Sequence, residues 1–219
     1  MTEGLRRRVP LLNKLTAEDA ARTPSVFQLM PHADVVQFLD EHLKPLNVDL
    51  YDAEVWKRYG WSALHTPEFR RQFESTNGTD GEVDVLDAYL ATTLQRARRF
   101  HQALDAQDDR PAPVVLLAIG GDCEETLNAP VLRRDEKQNR WVTLTRPHEF
   151  RTSTGEKISK KQATDAMYIP GDGRVTRLSM LGRNISRYAV FGCDLHGQLP
   201  RNKTIQDNAL TAIVSEVVK

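Results

Sequence analysis

Net charge is the first thing this chain lacks: 30 Lys and Arg balance 30 Asp and Glu over 219 residues. No field remains to draw in nucleic acid or an anionic membrane, and the runs Arg6-Arg7-Arg8 and Lys160-Lys161 read as solvated surface. Long apolar runs are missing too. No stretch reaches the roughly 18 residues a membrane-spanning helix needs, and Val9-Pro10-Leu11-Leu12 is too short for a signal-peptide core. The expectation is a cytoplasmic chain with no transmembrane segment and no nucleic-acid partner. Cysteine is scarce as well: Cys123 and Cys193 stand far apart, without CxxC or Cys/His ligand spacing, which argues against a zinc site and a disulfide-built scaffold. Reduced, buried thiols are expected. His32, His42, His65, His101 and His148 have no ligand partner at i+4 and read as surface or packing residues, so no metal and no cofactor is expected.

What is present suffices for one good-sized domain with a substantial core. Thr16 followed by Glu18 and Asp19 predicts a short helix, stopped at Thr23-Pro24. Residues 34–43 predict a helix with Val35, Phe38, Leu39 and Leu43 on one face, and residues 48–51 alternate like a short strand. Asp52 is placed to cap a helix ending at Gly60. Trp56, Tyr59 and Trp61 read as a packed core corner. After the loop at 77–81, residues 82–106 predict the longest helix, with Val83, Leu86, Leu90, Leu94, Ala97, Phe100 and Leu104 on its stripe.

Residues 114–119 form a continuous apolar run, the mark of a strand buried on both faces of a mostly parallel sheet. Residues 132–134 and 140–145 predict a hairpin inserted after it, residues 146–165 a polar loop, and residues 188–191 a further strand. Thr204 with Asp207 predicts the start of a terminal helix whose stripe is Ile205, Ala209, Ala212, Ile213 and Val217. This order suits an α/β fold, with a cap-like helical region over 1–80 and a core over 81–219 that together form one structural domain. Three core strands are few, so the sheet is expected to be incomplete.

The candidate chemistry lies between residues 168 and 196. Ile169 and Pro170 lead into Gly171-Asp172-Gly173, a turn that glycine-rich backbone makes cheaply and that holds a short carboxylate just past a strand end. His196 follows the apolar run 188–191 and sits on a loop before Gly197. A carboxylate and an imidazole on neighbouring strand ends are two thirds of an acyl-transfer triad.

Several segments in this order resemble the lecithin:cholesterol acyltransferase-like branch of the α/β-hydrolases. Thr23-Pro24-Ser25-Val26-Phe27-Gln28-Leu29-Met30-Pro31 is similar to that branch's Pro-Ser-x-aromatic-x-Leu-Leu-Pro segment, and Tyr51-Asp52 through Trp56, Tyr59 and Gly60 to its Tyr-Asp, Trp, Tyr-Gly segment. Ile119-Gly120-Gly121 with Thr126 resembles its strand-end Tyr-Gly-x-Gly-x-x-Thr. Gly171-Asp172-Gly173-Arg174-Val175 resembles the Gly-Asp-Gly-Thr-Val turn carrying the triad Asp, and His196 before a terminal helix matches the triad His. The resemblance implies an incomplete α/β-hydrolase-type sheet with helical cap segments. It also implies an acyl ester or lipid as substrate, with Asp172 and His196 as catalytic residues.

The family's nucleophile stands on a Gly-x-Ser-x-Gly elbow, and no serine here has that frame; Ser62 follows Gly60 but has Leu64 two places on. The chain is therefore expected to be a C-terminal portion, inactive alone, that self-associates or is complemented by an N-terminal half. Cys123 follows an apolar strand and could mimic the elbow as a thiolate. Glu125 and Pro130 crowd the position, and nearby acids disfavour a thiolate, so a structural thiol is expected. The alternative is a non-catalytic lipid-binding or protein-interaction module derived from such a hydrolase, with Trp56 and Trp61 around an apolar ligand. The triad reading requires an Asp172 oxygen about 2.6 to 3.2 Å from a ring nitrogen of His196.

Overall fold

Apolar side chains recurring every three or four positions from residue 86 onward organise the longest helix and the first core. The computed structural model describes residues 16–32, 35–77, 82–106, 117–136, 138–181 and 188–217. In chain order these form α1 (Ala17–Ala21), α2 (Pro24–Phe27), β1 (Phe38–Leu39), β2 (Pro45–Leu46), α3 (Ala53–Arg58), α4 (Pro67–Asn77) and α5 (Glu82–Leu104). There follow β3 (Leu117–Gly121), β4 (Glu124–Leu127), β5 (Val131–Asp135), β6 (Arg140–Leu144), β7 (Phe150–Arg151), β8 (Lys157–Ile158), α6 (Lys160–Met167), β9 (Tyr168–Gly171), α7 (Arg177–Leu181), β10 (Tyr188–Gly192) and α8 (Lys203–Val217). The class is mixed α/β. The described residues fall into two units, one within Met1–His32, Asn47–Leu104 and Arg134–Val142, the other within Ala33–Leu46, Asp105–Arg133 and Thr143–Lys219.

In the first unit, α1 starts at the capping box read from Thr16: Asp19 N–H donates to Thr16 Oγ1 at 3.1 Å and Thr16 N–H to Asp19 Oδ2 at 3.0 Å. Asp52 caps α3, its Oδ1 accepting from Glu54 N–H at 2.8 Å. No strand forms at 48–51, because Asp49 Oδ1 accepts from Tyr51 N–H at 2.9 Å and turns the backbone instead. Phe27, Met30, Trp56, Leu90, Leu94 and Ala97 close one buried cluster, and Leu64, Phe69 and Leu86 a second. Trp56 meets Trp61 edge-on with ring centres 6.0 Å apart, and Tyr59 lies 5.1 Å from both Trp61 and Trp141. The aromatics are thus a core corner that takes in the tip of the β5–β6 hairpin.

The α5 stripe departs from expectation at its end, where Phe100 is 39% and Leu104 55% exposed. His101, 2% exposed, occupies the inward position four residues after Ala97. It is tolerated because both ring nitrogens are satisfied: Nε2–H donates to the Gln28 carbonyl at 3.0 Å and Nδ1 accepts from Tyr51 Oη at 2.7 Å. α5 packs on α2 and α3 and falls in the same unit as they do. The loop residues 78–81 lie outside the described residues.

In the second unit the helix expected over 34–43 is replaced by a turn between β1 and β2. Asp40 Oδ1 accepts from His42 N–H at 2.8 Å and Lys44 N–H at 2.9 Å, and Leu43 takes a left-handed φ of 61°. The side chain offers the backbone a competing partner, and Pro45 keeps Lys44 out of helical geometry. Asp34 lies outside the described residues.

The strands form several small sheets. β2-β1-β5-β6 is one, and β10-β3, β4-β9 and β7-β8 are separate pairs. β3 and β10 run parallel from Tyr188↔Leu117 to Gly192↔Gly121, with α7 and α8 packed on them. Of the strand expected over 114–119, residues 114–116 lie outside the described residues. Ile119 is 39% exposed, so β3 is not covered on both faces. Residues 146–165 are more ordered than a loop. They hold β7, β8 and most of α6, whose capping box pairs Ser159 and Gln162. The cap of α8 is Asn202, not Thr204, with Ile205 N–H donating to Asn202 Oδ1 at 3.2 Å. Ile205 is buried, but Leu210, Ile213 and Val214 face outward. Among the described residues no helix is long and apolar enough to cross a membrane.

Leu94 is fully buried, so Leu94→Ala is expected to cost about 2–5 kcal/mol by loss of contacts and creation of a cavity. Phe100→Ala, at an exposed position, is expected to cost less than about 1 kcal/mol. Urea denaturation followed by circular dichroism distinguishes the two, and equal losses would contradict the face assigned to α5.

Candidate active site

The site grows from the end of β9. β4 pairs antiparallel with β9, placing Glu124 opposite Gly171 and Thr126 opposite Ile169. Asp172, 3% exposed, comes next. Its Oδ1 accepts from Arg174 N–H at 3.0 Å and Val175 N–H at 2.7 Å, while its own N–H donates to the Val175 carbonyl at 3.1 Å. Gly173 turns the chain with φ 82°, a conformation costly for a residue with a Cβ. Its N–H donates to Thr126 Oγ1 at 2.8 Å, and Thr126 is itself buried. One carboxylate oxygen is therefore held by two backbone N–H groups, and the turn beneath it by Thr126, before any imidazole arrives.

β10 supplies the imidazole. Past Gly192 the chain runs through Cys193, Asp194 and Leu195 to His196, whose N–H donates to the Asp172 carbonyl at 2.9 Å. Its ring Nδ1 lies 2.8 Å from Asp172 Oδ2. This separation meets the requirement drawn from the sequence. The close approach needs Gly121: a Cβ there would lie 2.8 Å from Asp172 Cβ and 2.9 Å from the Asp194 carbonyl oxygen, tighter than real side chains allow.

Burial pushes the Asp172 carboxyl up, but the Val175 N–H, the His196 ring and the Arg174 N–H together outweigh it, so its pKa is lowered from the ordinary value. At neutral pH it is a carboxylate, which only accepts hydrogen bonds, and Nδ1 of His196 therefore carries the proton. In the neutral imidazole this tautomer leaves the lone pair on Nε2. The His196 side chain is 50% exposed, and among the described residues Nε2 has no hydrogen-bond partner. A base oriented by a buried carboxylate and open on its far side can accept a proton from a nucleophile brought to it. No described serine, threonine or cysteine side chain hydrogen-bonds His196.

The cysteines overturn the expectation of reduced, buried thiols. Cys123, two residues past β3, and Cys193, one past β10, are joined in a disulfide with Cα atoms 5.1 Å apart, and both residues are exposed. A disulfide sulfur is not a thiolate, so Cys123 is no nucleophile in this state. Linear spacing carried no sign of the bridge; the parallel pairing of β3 with β10 brings the two strand ends together.

A serine–histidine–aspartate chain, missed in the sequence, lies in the helical unit. Ser62 Oγ is 2.6 Å from His65 Nδ1, His65 Nε2 is 2.6 Å from Asp87 Oδ1, and Lys57 Nζ donates to Asp87 Oδ2 at 2.7 Å. Ser62 is 4% exposed and the His65 side chain 7%, so the hydroxyl is sealed from an acyl substrate. The chain ties α3 to α5 instead. Its only advance signal was the i, i+3 spacing of Ser62 and His65.

Comparison with family models, with curated proteins and with solved structures returns no match.

The lowered pKa of Asp172 links the site to stability. A depressed carboxyl contributes stability that is present above its unfolded value, near about 4, and is lost as pH falls through the folded value. Asp87, whose pKa is also lowered because hydrogen bonds from Lys57 and His65 outweigh its burial, acts in the same direction. Wild-type stability, measured by urea midpoints between about pH 6 and 3, is expected to fall more steeply than that of Asp172→Asn. Parallel curves would remove the Asp172–His196 bond from the account.

Proposed function

We propose that this chain carries the acid and base of an acyl-transfer enzyme of the lecithin:cholesterol acyltransferase type. It is the C-terminal portion of an α/β-hydrolase-type sheet, and the serine comes from a complementing segment. One observation carries the reading: a buried, ionised Asp172 holds Nδ1–H of His196 at 2.8 Å, while the imidazole is half-exposed and its Nε2 has no hydrogen-bond partner among the described residues. In the proposed reaction Nε2 takes the proton from the serine hydroxyl as its oxygen attacks the ester carbonyl. Asp172 stabilises the imidazolium, which then returns the proton to the leaving alkoxide. The order of segments from Pro24 to His196 supports the family, and the two-stranded parallel pair β3–β10 supports a sheet awaiting further strands, since parallel sheets are found with many strands and covered faces.

The substrate is an acyl ester or lipid. The groove beside β4 and β9 mixes the carboxylates of Asp122, Glu124, Glu125 and Asp165 with Tyr168, Ile169 and Pro170; in the proposed complex the complementing segment supplies the rest of the wall for an acyl chain. A second reading, a non-catalytic lipid-binding or protein-interaction module, is favoured by the exposure of Leu210, Ile213 and Val214 on α8 and of Ile119 on β3, an apolar display that suits a partner or a lipid.

The test is hydrolysis of a short-chain p-nitrophenyl ester by the chain alone and co-expressed with a segment carrying parallel strands and a Gly-x-Ser-x-Gly elbow. The acyl-transfer reading expects turnover only in the complex, lost by about 10³-fold or more in His196→Ala. A monomeric chain by sedimentation that gains no activity in the complex would favour the binding module.

A further inference from the structure

The loop that delivers His196 has little of its own to hold it. Residues 193 and 195–198 are exposed, with Leu195 54% exposed, and the next buried side chain is Leu199. Within the loop the Leu195 carbonyl accepts from Gln198 N–H at 2.7 Å and Leu199 N–H at 3.2 Å, and among the described residues two hydrogen bonds tie the loop to Asp172: His196 N–H to the Asp172 carbonyl, and ring Nδ1 to the Asp172 carboxylate. At its near end the loop is tied covalently, because Cys193 is bonded to Cys123. Cys123 in turn follows Gly121 by two residues, and Gly121 is the position against which both Asp172 Cβ and the Asp194 carbonyl pack. The bridge therefore pins the start of the His196 loop to a backbone segment that also packs on Asp172.

We propose that the Cys123–Cys193 disulfide is a thiol-reversible clamp that positions His196 against Asp172. Both cysteines are exposed, so a small dithiol can reach them. Its thiolate attacks one sulfur, the Cys123–Cys193 bond breaks, and the second reagent thiol closes on the first. Two electrons pass to the bridge, two protons end on the freed thiols, and the reagent leaves as a cyclic disulfide. With the bridge open, residues 193–196 keep the local turn through Leu195 and the two hydrogen bonds to Asp172 but lose their covalent tie to the end of β3, and the fraction of molecules with Nε2 correctly presented falls. Cys123 and Cys193 are positioning residues in this scheme. Their link to acid–base chemistry rests on the function proposed above, whereas the clamp itself can be read without any turnover.

The readout is amide hydrogen–deuterium exchange by mass spectrometry on the full chain, air-oxidised and then reduced with dithiothreitol. The peptide spanning residues 193–199 is expected to exchange about tenfold faster on reduction, while peptides from α5 do not change, the pattern of local rather than global opening. Reoxidation restores the slow rate, and the Cys123→Ser/Cys193→Ser chain exchanges at the fast rate with or without dithiol. Unchanged exchange at 193–199 on reduction would overturn the clamp. So would acceleration in α5 to the same extent, which makes the bridge a global staple, or two titratable thiols in the air-oxidised chain. If the double variant fails to fold, the wild-type pair of measurements decides alone. An inactive complex with a clamp that opens as described would reject the acyl chemistry and leave the clamp standing.

Discussion

The Asp172 carboxylate is the point on which the second unit's chemistry turns. One oxygen is committed to the backbone N–H groups of Arg174 and Val175, and the other to the ring of His196. A carboxylate with a single partner would swing with its rotamer, and a histidine on an exposed loop would follow it. Because Oδ1 is fixed by the turn, Oδ2 has one direction left, and the imidazole inherits that direction. Thr126 under Gly173 and the missing Cβ of Gly121 act on the same group from outside, one by holding the turn and the other by leaving room for it. Negative charge in so enclosed a place is tolerable because the N–H groups of Arg174 and Val175 and the His196 ring all donate to it.

The Ser62–His65–Asp87 chain and the Asp172–His196 pair show how little connectivity alone says about chemistry. Ser62, His65 and Asp87 are bonded end to end with shorter distances than the Asp172–His196 pair, and a lysine completes the chain. Its serine is buried and its histidine uses both nitrogens inside the protein, so there is no free lone pair and no path for a substrate. The pair at 172 and 196 is the poorer network and the better base, because one imidazole nitrogen is left unspent toward solvent. Exposure at one atom separates a structural relay from a candidate catalytic one.

Much of this was legible in the residues. The Gly-Asp-Gly turn, the loop histidine after an apolar strand, the caps at Thr16 and Asp52, the α5 stripe through Ala97 and the hairpin after residue 131 all follow from local rules that act within a few positions. The misreadings arose where a side chain competed with the expected backbone pattern or where the deciding partner was remote. Asp40 and Asp49 turned the backbone that periodicity had made helix and strand, and the Ser159 and Gln162 box lay inside a stretch that looked merely polar. His101 is buried because Tyr51 and Gln28 come to it from elsewhere in the chain. The disulfide depends on strand pairing across 70 positions, and no window of sequence contains that information.

That same separation sets an order of assembly. α2, α3 and α5 all lie before residue 105, so their contacts can close before β10 has been synthesised. The pairing of β3 with β10 must wait for the second strand, and everything between them is synthesised first. On a chain emerging from the ribosome the helical core can therefore form while β3 is still alone with its backbone donors and acceptors unmatched. For that interval the first strand is an open edge, and it is shielded only by the speed with which the remaining chain arrives.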